Sequence, residues 1–215
     1  MTTPSGKIEI RSKLIGRHNV YNILAALSVG IAEGIDPSAI KHGIEAVRTV
    51  PGRLESVDMN QQFKVFIDYA HTEDALFNVL TTLRSVAKNR IVLVFGCGGD
   101  RDKTKRPKMG RVASDFADYF IVTSDNPRSE DPYDIFKDIE SGIEKDRKEC
   151  EVILSRYDAI KKALQIAGPQ DIVLIAGKGH EDYQIFKDKT VHFSDKETVV
   201  ELLGELNQLK VVRHV

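Results

Sequence analysis

The sequence predicts an α/β fold: a Rossmann-like, mostly parallel sheet with helices on both faces, preceded by a short helical segment. From residue 63 onward, short apolar runs alternate strictly with stretches that carry apolar residues at helical spacing. The runs at 91–95 and 171–176 are almost wholly apolar, which is typical of parallel strands buried on both faces. Glycine-rich or polar loops follow these runs, where open α/β sheets bind ligands.

The composition is that of an ordinary globular protein. The 215 residues are 41% hydrophobic and 29% charged, and the net charge is −1, so nothing favours a nucleic-acid or membrane partner. Cys97 and Cys150 lie far apart without the spacing of a metal site. There is no membrane-length apolar run and no apolar region of a signal peptide. We therefore expect a reduced, cytoplasmic protein whose own residues bind no metal.

Residues 1–52 are interpreted as the tail of a domain whose front half is missing. The first dozen residues, ending in Ile8-Glu9-Ile10-Arg11, suggest a strand fragment. Helical spacing predicts a helix over 19–33 that stops at Gly34, and Asp36-Pro37 supplies the N-cap and first-turn proline of a second helix. The expected buried stripes of the two helices are Val20, Ile23, Leu24, Leu27 and Ile31, and Ile40, Ile44 and Val47. Two helices and a strand end are too little for an independent core.

Residues 53–215 are predicted to form the main domain. Strands are expected at 63–67, 91–95, 119–122, 151–154 and 171–176. Helices are expected after Thr72, from Pro107, after Asp131-Pro132 and near 159–167. The runs 183–186 and 190–193 predict a hairpin, and Ser194-Asp195-Lys196-Glu197 is a capping box that begins the last helix.

The loop at 123–132 is the most informative candidate site. It follows the apolar run at 119–122, and its prolines, asparagine and carboxylates indicate a stiff polar loop from which Arg128 projects. An Arg fork beside the amide of Asn126 suits a carboxylate or a phosphate. We expect the other loops at the carboxyl ends of strands to converge on this one and hold a small charged ligand.

Two glycine-containing loops are further candidates, each with a purely structural alternative. Residues 96–101 lack the third glycine of a dinucleotide fingerprint, because Arg101 stands there, and Lys103-Thr104 follows Asp102 rather than the glycine of a Walker A loop. Consecutive glycines can still form an anion-binding nest, or merely a tight turn. In the loop 177–181, Glu181 can accept from an ammonium group, or it can be a solvated residue of a flexible turn.

Other polar residues carry weaker signals. Asp68 and His71 follow the first strand of the main domain, where His71 is either an acid–base or stacking group or a structural histidine. Asn19 and Asn22 lie at i, i+3 on one helix face, suited to a ligand or to capping. Arg53 stands at the junction of the two parts, and the dense charges at 100–106 are typical of a solvated loop.

Six motifs together resemble the Mur ligase family, in its order and rough spacing. They are Gly16-Arg17-His18-Asn19-Val20-Tyr21-Asn22, Pro51-Gly52-Arg53-Leu54-Glu55, Asp68-Tyr69-Ala70-His71-Thr72, Gly96-Cys97-Gly98-Gly99-Asp100-Arg101-Asp102, Asp125-Asn126-Pro127-Arg128 and Ala176-Gly177-Lys178-Gly179-His180-Glu181. The resemblance covers essentially the whole chain but only the C-terminal half of the family's architecture. Two departures are His18, where an aromatic such as Phe is usual, and Glu73, where Pro is common.

The resemblance implies an ATP-dependent acid–amino acid ligase of peptidoglycan precursor synthesis, and hence a role in cell wall formation, cell shape and cell division. In the family, ATP phosphorylates the D-Glu side-chain carboxylate of UDP-MurNAc-L-Ala-D-Glu, and the amine of an incoming amino acid attacks the acyl phosphate. By resemblance, Asn19, Asn22, Arg53, Asp68 and His71 match ATP-contacting positions. Also by resemblance, the pocket for the incoming amino acid, meso-diaminopimelate, is formed by Arg101, Asp125, Asn126, Arg128, Gly177 and Glu181.

The resemblance also defines what these 215 residues lack. They contain no Walker A loop, no Mg²⁺-binding glutamate, no carbamylated-lysine segment and no UDP-binding domain, so we expect ATP and Mg²⁺ to act in a complete enzyme with metal ligands mostly outside this chain. Residues 1–52 then correspond to the end of a central ATP-binding domain. We assign no catalytic residue within the chain and expect no catalysis by the chain alone.

Three alternatives remain open from the sequence. One is a stand-alone, non-catalytic module that binds an amino acid or a nucleotide. Another is the lysine-adding homologue, since lysine lacks the second carboxylate that an Arg would clamp. A related Mur or folate-type ligase is disfavoured by Asn126-Pro127-Arg128.

Overall fold

The structure, a computed structural model, describes residues 2–3, 6–144 and 149–212, the side chains of 2–3 and 209–212 excepted. The chain divides into two compact units, Met1–Val50 and Pro51–Val215. None of the described helices combines the length and the apolarity needed to cross a membrane.

The first unit consists of a hairpin and two helices. They are β1 (Thr2–Thr3), β2 (Gly6–Lys7), α1 (Arg17–Ala32) and α2 (Pro37–Ala46). Asp36 caps α2 by accepting from the N–H groups of Ser38 and Ala39, which confirms the predicted start. The strand fragment predicted within the first dozen residues is found at β2, but it ends at Lys7, and residues 8–11 lie outside the described strands.

The predicted stripes of the first unit are only partly buried. Leu27 and Ile40 are buried, whereas Val20, Leu24 and Val47 are 51%, 38% and 41% exposed. The two helices meet where Gly30 faces Ile40, so closely that an added Cβ would lie 2.8 Å from Ile40 Cδ1. Each of two helices within one small unit can cover only part of the other's apolar face, and the remaining stripe residues stay exposed.

The second unit is a three-layer α/β structure. Its elements are β3 (Glu55–Val57), β4 (Lys64–Asp68), α3 (Glu73–Arg84), β5 (Ile91–Phe95), α4 (Lys105–Phe116), β6 (Tyr119–Thr123), α5 (Pro132–Glu140), β7 (Glu149–Ile153), α6 (Arg156–Ile166), β8 (Ile172–Ala176), β9 (Tyr183–Ile185), β10 (Thr190–His192) and α7 (Asp195–Val212). Among the described strands, six form one sheet in the order β3-β4-β8-β5-β6-β7, parallel except for β3. The predicted fold class is therefore confirmed.

Local signals account for the element starts. Thr72 accepts from Ala75 N–H to cap α3, and Asp131 accepts from Tyr133 N–H to cap α5. The start of α6 lies three residues before the predicted one, because Ser155 caps it by accepting from Asp158 N–H. The antiparallel strand β3 was not predicted, since three residues are too short to show a pattern.

The core lies on both faces of the sheet. On one face, alternate residues of the parallel strands, among them Val65, Val94 and Val173, form a continuous apolar cluster with α6 and α7. The helices α3, α4 and α5 pack against one another, and Gly110 of α4 touches the Ile139 carbonyl of α5. Since β8 is inserted between β4 and β5, the loop after β8 emerges between the loops that follow those two strands.

Candidate functional site

The loops after β4, β5, β6 and β8 meet at the carboxyl edge of the sheet, as predicted from the sequence. An added Cβ at Gly96 would lie 2.1 Å from the Thr123 carbonyl oxygen, and one at Gly177 would lie 2.9 Å from Asp125 Oδ2. Glycine is needed at these positions because backbone and side chains of adjacent loops approach within van der Waals contact. The carboxylate of Asp125 therefore faces the backbone of Gly177 in the middle of this edge.

Arg128 is held in an unusual backbone conformation at the tip of its loop. Its φ is +51°, in the left-handed region, and its N–H donates to the Ile185 carbonyl at 3.0 Å. The guanidinium Nη1 donates to the carbonyl oxygens of Gly99, at 2.9 Å, and Asn126, at 3.3 Å. Within the described part of the chain, Nε and Nη2 have no partner, so one edge of the fork is anchored and the other is free for a ligand.

Asn126, Lys178 and Glu181 form a closed polar triangle. The Asn126 amide donates to Glu181 Oε2 at 3.1 Å, and the buried Lys178 ammonium donates to Asn126 Oδ1 at 3.2 Å and to Glu181 Oε2 at 3.1 Å. Burial by itself would raise the pKa of Glu181, but the Lys178 ammonium and the Asn126 amide lower it overall. Because lysine only donates, it fixes which side of the Asn126 amide faces Glu181.

Lys178 is thus a site residue that sequence reasoning missed. The Asn126 amide uses one of its two N–H donors on Glu181, which leaves the second as the donor predicted for a ligand. Glu181 Oε1 accepts from the Tyr69 hydroxyl at 3.5 Å and from no other residue that the structure describes, so it retains acceptor capacity for an ammonium group. The only sequence signal for Lys178 was its position between two glycines directly after a buried strand.

The glycine loop after β5 uses its N–H groups within the protein. Gly99 N–H donates to the Asn126 carbonyl at 2.9 Å, and Asp100 N–H donates to Glu130 Oε1 at 2.6 Å. The anion-nest interpretation is therefore wrong for these two groups. Arg101 is exposed, and its Nη1 donates to the Asp100 carbonyl at 3.3 Å; its ligand contact stays a prediction.

Arg106 contradicts the interpretation of residues 100–106 as a solvated charged loop. Its side chain is 0% exposed and pairs with Glu130 and Asp138. The sequence offered no signal for this burial, because the partners lie 24 and 32 residues away. Arg101 in the same run is exposed, so two arginines five positions apart have opposite environments.

A second group of predicted residues clusters around Tyr69. The Arg53 guanidinium lies 5.4 Å from the Tyr69 ring centroid, and the rings of His71 and His180 lie 4.5 and 5.4 Å from it. Arg53, His71 and His180 are exposed, whereas Tyr69 is half-buried. The structure thus brings together Arg53 and His71, and it adds Tyr69 and His180, which sequence reasoning did not single out.

Asp68 is buried and holds the neighbouring turn. Its Oδ2 accepts from Leu54 N–H at 2.7 Å, and its backbone carbonyl accepts from Gly177 N–H at 3.0 Å. Asp68 therefore joins the turn that carries Arg53 to the loop that carries Glu181. Its carboxylate positions backbone rather than projecting from the surface.

Asn19 and Asn22 lie in the first unit. The buried Asn19 amide donates to the Ile15 carbonyl at 2.8 Å, and Asn22 Nδ2 donates to Asn19 Oδ1 at 3.2 Å. The N-cap of α1 is Gly16, and no side chain caps the helix, so the capping alternative is wrong. Asn22 is exposed and Asn19 serves as its support.

The chemistry of this edge suits a small zwitterion. Arg101 and Arg128 present cations from adjacent loops, and the carboxylates of Asp125 and Glu181 lie on the loops beside them. A ligand that carries one carboxylate and one ammonium would find a partner for each. Among residues 6–144 and 149–208, no cluster of three or more His, Cys, Asp or Glu side chains has the arrangement of a metal site.

Comparison with known proteins gives one family. The model described as Mur ligase, glutamate ligase domain, matches residues 52–179. The UDP-N-acetylmuramoyl-L-alanyl-D-glutamate–2,6-diaminopimelate ligase of Syntrophomonas wolfei is 49% identical over 195 residues, which are 90% of this chain and 40% of that protein. The enzyme of that name from Geobacter metallireducens is 48% identical over 96% of this chain and 43% of its own length. The chain thus spans about 40% of the curated relatives it matches.

A solved structure agrees. A UDP-N-acetylmuramoyl-L-alanyl-D-glutamate–2,6-diaminopimelate ligase structure superposes with a TM-score of 0.73 and 39% identity, over 96% of this chain and 42% of that one.

Proposed function

Because this chain belongs to the Mur ligase family, we propose that it is the part of an ATP-dependent, amide-forming ligase that binds the incoming amino acid. The amino acid we propose is meso-diaminopimelate, and its acceptor is the D-Glu side-chain carboxylate of UDP-MurNAc-L-Ala-D-Glu. Relatives named for that reaction match 90% or more of this chain. Since the chain spans about 40% of their length, we expect it to bind and not to catalyse alone.

The observation that carries the proposal is the half-anchored guanidinium of Arg128. Gly99 and Asn126 hold Nη1, and the positive φ of Arg128 directs the side chain from the tip of its loop. A fork held at one edge presents its other edge with little further loss of rotamer freedom, which favours a planar carboxylate. Diaminopimelate has a second carboxylate at its far end, whereas lysine has none.

The remaining residues divide the ligand between them. Arg101 and Arg128 bind the distal carboxylate, and Glu181 Oε1 with Asp125 binds the distal ammonium, while Gly177 allows the ligand close to the backbone. The far head of the ligand is thereby fixed and its other amine is left free for bond formation. Burial opposes the charged form of Glu181, and Lys178 together with Asn126 offsets it, so that the pKa of that carboxyl is lowered.

We place ATP at the second group. The exposed Arg53 guanidinium and the exposed His71 ring, both beside Tyr69, supply a cation and ring faces of the kind that nucleotide phosphates and bases contact. Asp68 contributes by holding the turn at Leu54. ATP supplies the phosphoryl group that activates the acceptor carboxylate. We propose that Mg²⁺ acts with ATP in the complete enzyme.

Calorimetry of the 215-residue chain with meso-diaminopimelate and with L-lysine tests the proposal. We expect diaminopimelate to bind more tightly, and Arg128→Ala to reduce its affinity by about 10-fold or more, since a bond to a charged group contributes roughly 1.5–3 kcal/mol. Arg111→Ala, which removes an exposed arginine of α4 paired with Asp115 and Glu144, is the control. Equal affinity for the two amino acids, or diaminopimelate binding that survives Arg128→Ala, would contradict the assignment.

A further inference from the structure

We infer that Arg106 is a positioning residue for the guanidinium of Arg128. It does this by joining the loop after β5, residues 96–104, to the loop after β6, residues 124–131. This role rests on the proposed function, because it concerns the same amino-acid pocket. Arg106 contacts no part of that pocket's open side, since it is fully buried on α4. Its effect on a ligand is therefore indirect.

The contacts of Arg106 reach both loops at once. Nη1 donates to Glu130 Oε2 at 3.0 Å and to Asp138 Oδ2 at 2.8 Å. Nη2 donates to Glu130 Oε1 at 2.9 Å and to the Gly98 carbonyl at 3.2 Å. This is a bidentate pairing of a planar fork with a carboxylate, extended by two further acceptors. A lysine ammonium is a point charge and cannot span all four.

Glu130 passes the connection on to the glycine loop. Its Oε1 also accepts from Asp100 N–H at 2.6 Å, and its Oε2 lies 3.0 Å from the Lys103 ammonium. Asp100, which has a positive φ of 54°, in turn accepts from the N–H and the hydroxyl of Ser129 at 3.1 and 2.7 Å. The loop after β5 is therefore bonded to the loop after β6 at three successive residues. Gly99 and Asp100 bond to that loop directly, and Gly98 bonds to it through Arg106.

Arg128 is fixed by the same stretch. Its Nη1 donates to the carbonyl of Gly99, the residue that follows the one held by Arg106, and Gly99 N–H donates to the Asn126 carbonyl. The loops touch so closely here that a Cβ on Gly99 would lie 1.9 Å from the Pro127 carbonyl oxygen. A displacement of residues 98–99 would therefore move the anchor of the Arg128 side chain directly.

The geometry makes this coupling specific to the distal carboxylate. A buried arginine that supported the fold alone would affect all ligands of the domain equally. One that acts through Arg128 affects only ligands that use the Arg128 fork. Misplacement of a binding group by about 1 Å can reduce its effect up to roughly 100-fold, so loss of the Arg106 fork should be visible in affinity.

A double-mutant cycle of Arg106→Lys and Arg128→Ala tests the inference, with calorimetry of the full 215-residue chain. We expect Arg106→Lys to weaken meso-diaminopimelate binding by about 10-fold and to change L-lysine binding less than about 2-fold. In the Arg128→Ala background, Arg106→Lys should have no further effect, because the group it positions is gone. Arg111→Lys, the same substitution at an exposed position of the same helix, should leave both affinities unchanged.

Amide hydrogen exchange gives a second measurement that needs no ligand. The Gly99 amide proton, which bonds to Asn126, should exchange faster in Arg106→Lys than in wild type or Arg111→Lys. Glu130→Gln, which keeps the side-chain shape, should reproduce both effects if Arg106→Lys folds poorly.

The outcomes separate the inference from the proposed function. Independent, additive losses in the cycle, or Arg106→Lys with wild-type affinity and exchange, would overturn the positioning role alone. A wild-type chain that binds neither amino acid would overturn the proposed function. In that case the exchange measurement still tests Arg106: a Gly99 amide that exchanges equally fast in Arg106→Lys and in wild type would show that Arg106 does not link the loops.

Discussion

Replacement of Asp195 by Asn tests a fully buried ion pair of the second unit. The side chains of Arg156 and Asp195 are both 0% exposed, and they form two parallel bonds, Nε to Oδ1 at 2.7 Å and Nη2 to Oδ2 at 2.8 Å. Nη2 also donates to the carbonyl of Ala176, the last residue of β8, at 3.1 Å. The pair therefore ties the starts of α6 and α7 to the end of the central strand, directly before the loop of Glu181.

The magnitude follows from these contacts. Asn replaces one carboxylate oxygen with an amide NH₂ that faces a guanidinium donor, so one charge-assisted bond of about 1.5–3 kcal/mol is lost. The guanidinium is also left buried without its bonded counter-charge, although burial opposes its charged form and Asp195 is the largest of the carboxylates that keep the pKa of Arg156 raised. Breaking one side of a buried pair typically costs about 3–5 kcal/mol, which we expect here.

Urea unfolding followed by far-ultraviolet circular dichroism measures the effect. With a slope of about 2 kcal/mol/M, the midpoint should fall by about 1.5–2.5 M. Asp134→Asn is the matched control: Asp134 also lies in the first turn of a helix and pairs with Lys137 at 3.0 Å, but its side chain is 67% exposed. We expect no resolvable shift there.

A double replacement separates charge from packing. Arg156→Met with Asp195→Leu removes both charges and also the Arg156 Nη1, which has no partner among the described residues. It should be less destabilising than Asp195→Asn, because apolar pairs often replace buried ion pairs at little cost. A midpoint for Asp195→Asn equal to that of Asp134→Asn would refute the reasoning.

Three further predictions concern stability and reactivity. Gly110→Ala in α4 should destabilise the domain by about 1–3 kcal/mol, because its Cβ would lie 2.2 Å from a carbonyl oxygen of α5. Gly204→Ala in α7, where an added Cβ meets nothing within 4 Å, should instead stabilise it by about 0.5–1 kcal/mol. The two variants should shift the melting temperature in opposite directions, and shifts of the same sign would contradict the prediction. The Arg106 guanidinium lowers the pKa of Glu130 to about 2, so the stability that this ion pair contributes should be complete above about pH 4.5 and lost as pH falls toward 2. Unfolding curves of Glu130→Gln should lack this part of the pH dependence of stability. The same pH dependence in Glu130→Gln as in wild type would rule out the pair as its source. Burial raises the pKa of Cys97 to about 12, so its thiol should react with a disulfide reagent at pH 8 only when urea is added. Rapid reaction of the native protein would show that the Cys97 thiol is not buried.

Local chemistry explains which parts of the fold could be predicted. Asp36, Thr72 and Asp131 cap their helices as expected, because capping depends on residues within three positions of each other. The central strands are apolar throughout, since both faces of a parallel sheet are covered, and this pattern is visible without a partner. The strand β3 was missed because three residues show no visible pattern, and the strand fragment predicted to reach residue 11 ends at Lys7.

The sequence indicated several charged loops of the candidate site, but neither Lys178 nor the contacts between the loops. Arg128 was identified from a stiff loop after a strand, and resemblance to the Mur ligases supplied its neighbours. Asn126 and Glu181 lie 55 residues apart in the chain and bond to each other, and the buried Lys178 bonds to both. This contact depends on the position of β8 between β4 and β5, which the sequence does not show.

By itself, the sequence determined the fold class, most helix starts and the loops that carry the charged residues, because these depend on neighbours along the chain. Which charges are buried depends instead on elements that are distant in the chain. Arg101 and Arg106 have the same side chain and nearly the same sequence surroundings, yet one is exposed and the other is enclosed by Glu130 and Asp138. A buried charge is stable only where distant elements bring its counter-charges to it, and that information lies in the packing of the strands and helices.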